Sequence, residues 1–102
     1  MDNSIYAPLI GTPVLIRDHM AGVLFGILEV ADGKSWRLAK GSRKIHYWTE
    51  AGAVEGVAYG IGKDSRVTRP FLREQVGHDS VQIAGLEQEQ YETLLAMPEW
   101  KP

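Results

Sequence analysis

The chain has 102 residues, of which 44% are hydrophobic and 24% charged, and a formal net charge of −2 at pH 7. That suffices for a single domain (1–102) with one modest core, and gives no global attraction for nucleic acid. The absence of cysteine excludes disulfides, thiol catalysis and cysteine-based metal sites, and no apolar run reaches the roughly 20 residues of a membrane-spanning helix.

Residues 1–12 carry Pro8 and Gly11 with little periodicity, and read as an irregular lead-in. Ile5, Tyr6, Leu9 and Ile10 are expected to tuck against the body. Pro13 opens a short strand, Val14–Arg17, since proline is tolerated at a strand's first position. Asp18, His19 and Met20 turn the chain into its most structured stretch, Ala21 to Trp48.

Two tight-turn signals, Asp32-Gly33 and Gly41-Ser42, divide that stretch. Asp-Gly favours a type I′ turn and Gly-Ser a type II′ turn, the turns of β-hairpins. A meander of three antiparallel strands is expected: Gly22–Ala31, Lys34–Lys40 and Arg43–Trp48. With two-residue turns, Leu38 faces Ile27 and Ile45, and Trp36 faces Glu29 and Tyr47. Alternation then puts Val23, Phe25, Ile27, Trp36, Leu38, Ile45 and Tyr47 on a core face. Leu24, Gly26, Leu28, Val30, Arg37, Lys44, His46 and Trp48 fall on the other. That second face is too apolar for solvent and too cationic for a core, which suits a partner chain or a ligand and implies at least a homodimer. One β-bulge would flip part of this assignment.

Thr49 can cap a short middle helix to about Tyr59, with Val54, Val57, Ala58 and Ile61 at helical spacing. Residues 63–79 read as a polar connector with Arg66, Arg69 and Arg73, interrupted by Pro70-Phe71-Leu72. Ser80–Ala84 alternates weakly and reads as a last strand. Leu86–Met97 is the clearest helix, with acids in its first turn, Tyr91, Leu94 and Leu95 as its apolar stripe, and Pro98 as its stop. The fold class is α+β: an antiparallel sheet of four to six strands with a short middle helix and a C-terminal helix.

Catalytic signatures are missing. There is no G-x-x-x-x-G-K-S/T phosphate loop, no H-E-x-x-H and no G-x-S-x-G. Gly56 to Gly62 closes a helix where a dinucleotide fingerprint would open one. His19, His46 and His78 lack metal-ligand spacing, so neither metal nor cofactor is expected. Glu29 beside Trp36 is either a desolvated general acid or the partner of Lys34 or an arginine. The positive signal is a cation–aromatic cluster of Arg37, Arg43, Lys44, His46, Tyr47 and Trp48, with Arg17 on the neighbouring strand. Guanidinium forks bind phosphate bidentately and aromatic rings stack on bases. The same residues also suit a salt-bridged outer face or an oligomer contact. Arg43 is the favoured phosphate clamp, Arg17 and the connector arginines Arg66, Arg69 and Arg73 a second clamp, and Phe71 a stacking ring stiffened by Pro70.

Val14-Leu15-Ile16-Arg17, Ala21-Gly22-Val23-Leu24-Phe25-Gly26, Asp32-Gly33-Lys34 and Ser42-Arg43-Lys44-Ile45-His46-Tyr47-Trp48 together resemble a small family of tailed-phage proteins. That family shows an arginine ending its first strand, an A-G-V-x-F-G strand, an A-R-R-I/L-W-x-W strand and a P-x-W-K tail, matched here by Pro98-Glu99-Trp100-Lys101. The characterised branch that the chain resembles is the first-described type of anti-Thoeris sponge. Such proteins hold a cyclic ADP-ribose signal, or in some cases a cyclic oligonucleotide, between the subunits of an oligomer without cleaving it. The resemblance implies Arg17, Phe25, Arg43, Lys44, Tyr47 and Trp48 as ligand-binding positions. The chain departs from the pattern at Leu24, Lys44 and His46. The implied function is a phage-encoded, non-enzymatic sponge in the host cytoplasm, a homo-oligomer with no membrane and no general nucleic-acid partner. The alternative is an inhibitor that docks on a host defence protein, for example an anti-CRISPR.

Overall fold

The computed structural model describes residues 5–18, 22–32, 34–47, 66–78 and 80–99. They form an α+β fold: seven antiparallel strands, a 3-10 turn at Ala7–Leu9 and one C-terminal helix. The strands are β1 (Pro13–Asp18), β2 (Gly22–Ala31), β3 (Ser35–Leu38), β4 (Arg43–Tyr47), β5 (Arg66–Val67), β6 (Gln75–His78) and β7 (Ser80–Gly85). The helix, α1, runs Gln88–Leu95. The expected middle helix over Thr49–Tyr59, and Trp48, lie outside the described residues.

Asp32 organises the link between β2 and β3 through its side chain, with its own N–H bonded to Ser35 O, so the connection is longer than the expected two-residue loop. Asp32 Oδ1 accepts the backbone N–H of Lys34 at 2.9 Å and of Ser35 at 2.8 Å. Those bonds, Ser35 first, hold the Asp32 carboxyl below its ordinary range. The register beyond the turn differs from expectation. Leu28 faces Leu38, and a bulge between Leu28 and Val30 brings Val30 opposite Arg37 and Ala31 opposite Trp36. Trp36 and Leu38 therefore point to the face of Leu24 and Leu28, not to that of Val23 and Phe25.

The second expected hairpin is not one. At Gly41-Ser42 the chain keeps its direction, and β4 continues along β2 with Leu24 opposite Lys44 and Phe25 opposite Arg43. Gly41 has φ +92°, the left-handed conformation of a glycine bulge as well as of a turn. The dipeptide thus marks a bulge in one long bent strand, β3–β4. The expected connector supplies its partner: β5 pairs with β4, and β6 pairs with β3 from Ser35–His78 to Leu38–Gln75.

β6 and β7 stand at opposite ends of the series β6-β3-β2-β1-β7. In a flat sheet those four gaps would separate them by about 19 Å, yet His78 and Ser80 are two residues apart, a reach of at most about 7 Å. The sheet is therefore rolled. Trp36 Nε1 on β3 donates to Asp18 Oδ2 on β1 at 2.9 Å, although β2 lies between those strands in the sheet, and this buried bond ties the roll together.

Rolling buries both faces of β2. Inside lie Val14, Ile16, Leu24, Leu28, Trp36 and Leu38. Outside, Leu15, Val23, Phe25, Ile45 and Val67 are covered by Leu86 and by Leu94 of α1. The Phe25 and Tyr91 rings meet edge-on, 6.4 Å between centroids. The face that looked reserved for a partner is thus largely filled by this chain, with Leu24 and Leu28 at 1% and 0% exposure. Glu87 and Gln90 form the capping box that starts α1.

Candidate ligand-binding site

The bulge at Gly41-Ser42 leaves backbone groups that β2 does not pair, and residues 68–71 lie along it as a strap. Gly41 N–H donates to Phe71 O at 2.8 Å, and Phe71 N–H to Ser42 O at 2.9 Å. Thr68 N–H donates to Lys44 O at 2.8 Å, and Lys44 N–H to Thr68 Oγ1 at 2.9 Å. Below, Ser42 packs on Gly26 and accepts Gln75 Nε2 at 2.9 Å. The strap brings Arg69 and Phe71 to the corner that already holds Arg43 and Lys44.

Arg43 faces the α1 side, opposite the buried Phe25. Its Nε donates to Thr68 O at 2.9 Å, Nη1 to Leu95 O at 3.0 Å and Nη2 to Glu99 Oε2 at 3.2 Å. Its side chain is only 8% exposed. The expected phosphate clamp is therefore a structural tie, binding the strap, the end of α1 and the tail to β4. α1 has no basic residue in its last turn, and Arg43 supplies the missing cation at its negative end. The same charge partly offsets the burial that raises the Tyr91 hydroxyl pKa.

Glu99 is shared. Its other oxygen lies 3.9 Å from Arg69 Nε, and the Arg69 side chain is 82% exposed. Phe71 is 40% exposed. Lys44, half-buried, points to the opposite face from Arg43, as strand alternation requires. The remaining candidates sit elsewhere. Phe25 is fully buried in the core, out of reach of a surface ligand. Arg17 is exposed at the end of β1, with Val23 and Gln82 as its register partners. The Tyr47 backbone pairs with Arg66.

Sequence reasoning did not single out Glu99, which joins the two arginines, or Asp18, whose carboxylate holds Trp36. Glu99 lay in a tail with no periodicity, and Asp18 in what read as a turn. Glu29 pairs with Arg37 at 2.9 Å, both side chains partly exposed, which is the ion-pair alternative for that glutamate. Among the described residues no three histidine, aspartate or glutamate side chains gather as a metal site, and no helix is long and apolar enough to cross a membrane.

A family model matches residues 11–94. The chain belongs to DUF6948, a domain family of unknown function. No curated protein and no solved structure matches it. The DUF6948 span takes in all seven strands and the corner residues Arg43, Lys44, Arg69 and Phe71, while Glu99 lies beyond it.

Proposed function

We propose that this protein is a phage-encoded sponge that sequesters a cyclic nucleotide immune signal, a cyclic ADP-ribose isomer or a cyclic oligonucleotide, without cleaving it. The observation that carries the reading is the strap: it sets an exposed guanidinium, Arg69, two residues from a part-exposed ring, Phe71, at a backbone-bonded corner. A cyclic nucleotide needs fixed positive charge for its phosphates and an aromatic surface for its base. Arg43 contributes by holding Glu99, and a ligand phosphate competes with Glu99 for Arg69. The proposed sponge is a homo-oligomer in the host cytoplasm, with Lys44 half-buried on the face away from Arg43. The motif resemblance to anti-Thoeris sponges supports the same reading.

A second reading, an inhibitor docking on a host defence protein such as a CRISPR effector, is favoured by the 91% exposure of Leu72 at the end of the same strap. One experiment separates the two. The protein is incubated with a cyclic ADP-ribose isomer, washed and heat-denatured, and the supernatant is analysed by mass spectrometry. Release of intact ligand supports the sponge; an altered product means an enzyme. Absence of any retained ligand removes the sponge reading for that signal and leaves the inhibitor.

A further inference from the structure

A second polar cluster lies away from this corner, on the outer face of β3 and β6. Arg37 stands opposite Val30 of β2 and opposite Val76 of β6, so three adjacent strands present Val30, Arg37 and Val76 on one surface. Val30 is 42% and Val76 63% exposed. Arg37, Arg73, Glu74 and Val76 line a shallow, open groove of about 490 Å³.

The charges of this groove are only loosely satisfied. Arg37 engages Glu29 through Nε at 2.9 Å, which turns one edge of its fork away and leaves the Nη groups for another anion. Arg73 Nε lies 3.4 Å from Glu74 Oε1, with the Arg73 side chain 88% exposed. That is longer than the 2.7–2.9 Å of a well-formed charge-assisted bond. The Glu74 carboxyl is held below its ordinary range chiefly by its own backbone N–H, against burial, which raises it; Arg73 and, least, Arg37 add to the lowering. Arg37, Arg73 and the Glu74 carboxylate thus share the wall of one groove, with Arg73 the nearer cation to Glu74.

We propose that this groove binds a small molecule bearing a phosphate or carboxylate next to an apolar group, and that Glu74 is its built-in occupant, displaced by the ligand's anion. The two guanidiniums take the anion and Val76 takes the apolar part. An exposed, long ion pair is weak, so its displacement costs little. The inference does not depend on the sequestration reading, which concerns Arg69 and Phe71.

The test is a low-salt NMR titration with phenyl phosphate and, separately, benzoate, following the Arg37 and Arg73 Nε–H signals and the amides of residues 73–76. Saturable shifts are expected at both arginines. Glu74→Gln should bind about two- to fivefold tighter, the effect of removing an exposed competing pair, and Arg37→Ala or Arg73→Ala should bind more weakly. All three changes are at the surface, and a retained amide spectrum verifies the fold. Tighter binding of phenyl phosphate assigns a phosphate ligand, and tighter binding of benzoate a carboxylate. Non-saturating shifts, unchanged affinity in Glu74→Gln, or arginine variants that bind like wild type would each overturn the proposal. A protein that releases no cyclic nucleotide on heating yet passes this titration keeps the groove and loses only the sponge.

Discussion

At the scale of single residues, burial decides which cations serve the fold and which are left for a ligand. Arg43 and Arg69 share one glutamate, yet the first is sealed beneath α1 and the second stands in solvent. Arg43→Ala strands two backbone carbonyls and a carboxylate, and is expected to lower stability by about 2–3 kcal/mol, read as a shift in the urea midpoint. A midpoint equal to wild type would show that the three bonds do not form in solution. Trp36 is the other decisive residue. Burying its ring against Leu24, Leu28 and Leu38 while its N–H meets Asp18 makes Trp36→Ala cost about 3–5 kcal/mol. Its burial was legible from alternation, but its neighbours were not, because the bulge at Leu28 and Val30 moved it to the other face. Arg43 was misjudged for a related reason: alternation tells which face a side chain takes, not what will cover that face.

At the scale of elements, β1, β2, β7 and α1 were legible because each carries its own signal: a proline start, β-branched runs, weak alternation, and an apolar stripe with a proline stop. β5 and β6 were not. Arg-Val and Gln-Val-Gly-His show no useful period, and they become strands only because the β3–β4 edge offers them hydrogen bonds. Gly41-Ser42 was found but misassigned, since a glycine at positive φ serves a bulge as well as a hairpin turn. The bulge rests on Gly26: a Cβ there would lie 2.6 Å from Ser42 Cβ and 3.1 Å from its Cα. Gly26→Ala must push β2 and β4 apart, and is expected to lose about 1–3 kcal/mol, with amide exchange accelerated first at Phe71 and Thr68. An unaltered exchange pattern would mean the strap does not depend on that contact.

At the scale of the whole molecule, one rolled sheet supports two surfaces of different character. Its inside is filled by this chain's own side chains, so the apolarity that had suggested a partner is accounted for within the fold. The α1 side is closed by the helix and tail. Among the described residues, the rim where the strap crosses the bulge and the outer face of β3 and β6 stay open. The roll could not be seen in the sequence, because it is fixed by pairings between segments far apart in the chain. Membership in DUF6948 is a statement about ancestry, and the chemistry has to be argued from the corner itself. A sponge that uses this corner needs Arg69, whose guanidinium stands 82% exposed there, whereas that of Arg43 is sealed. The most direct measurement is a calorimetric titration of a cyclic ADP-ribose isomer into the wild-type protein and into Arg69→Ala, which should fold normally. Saturable binding to wild type, weakened roughly tenfold to hundredfold in the variant by loss of about 1.5–3 kcal/mol, is the expected result. No binding to wild type, or equal affinity in both proteins, would contradict it.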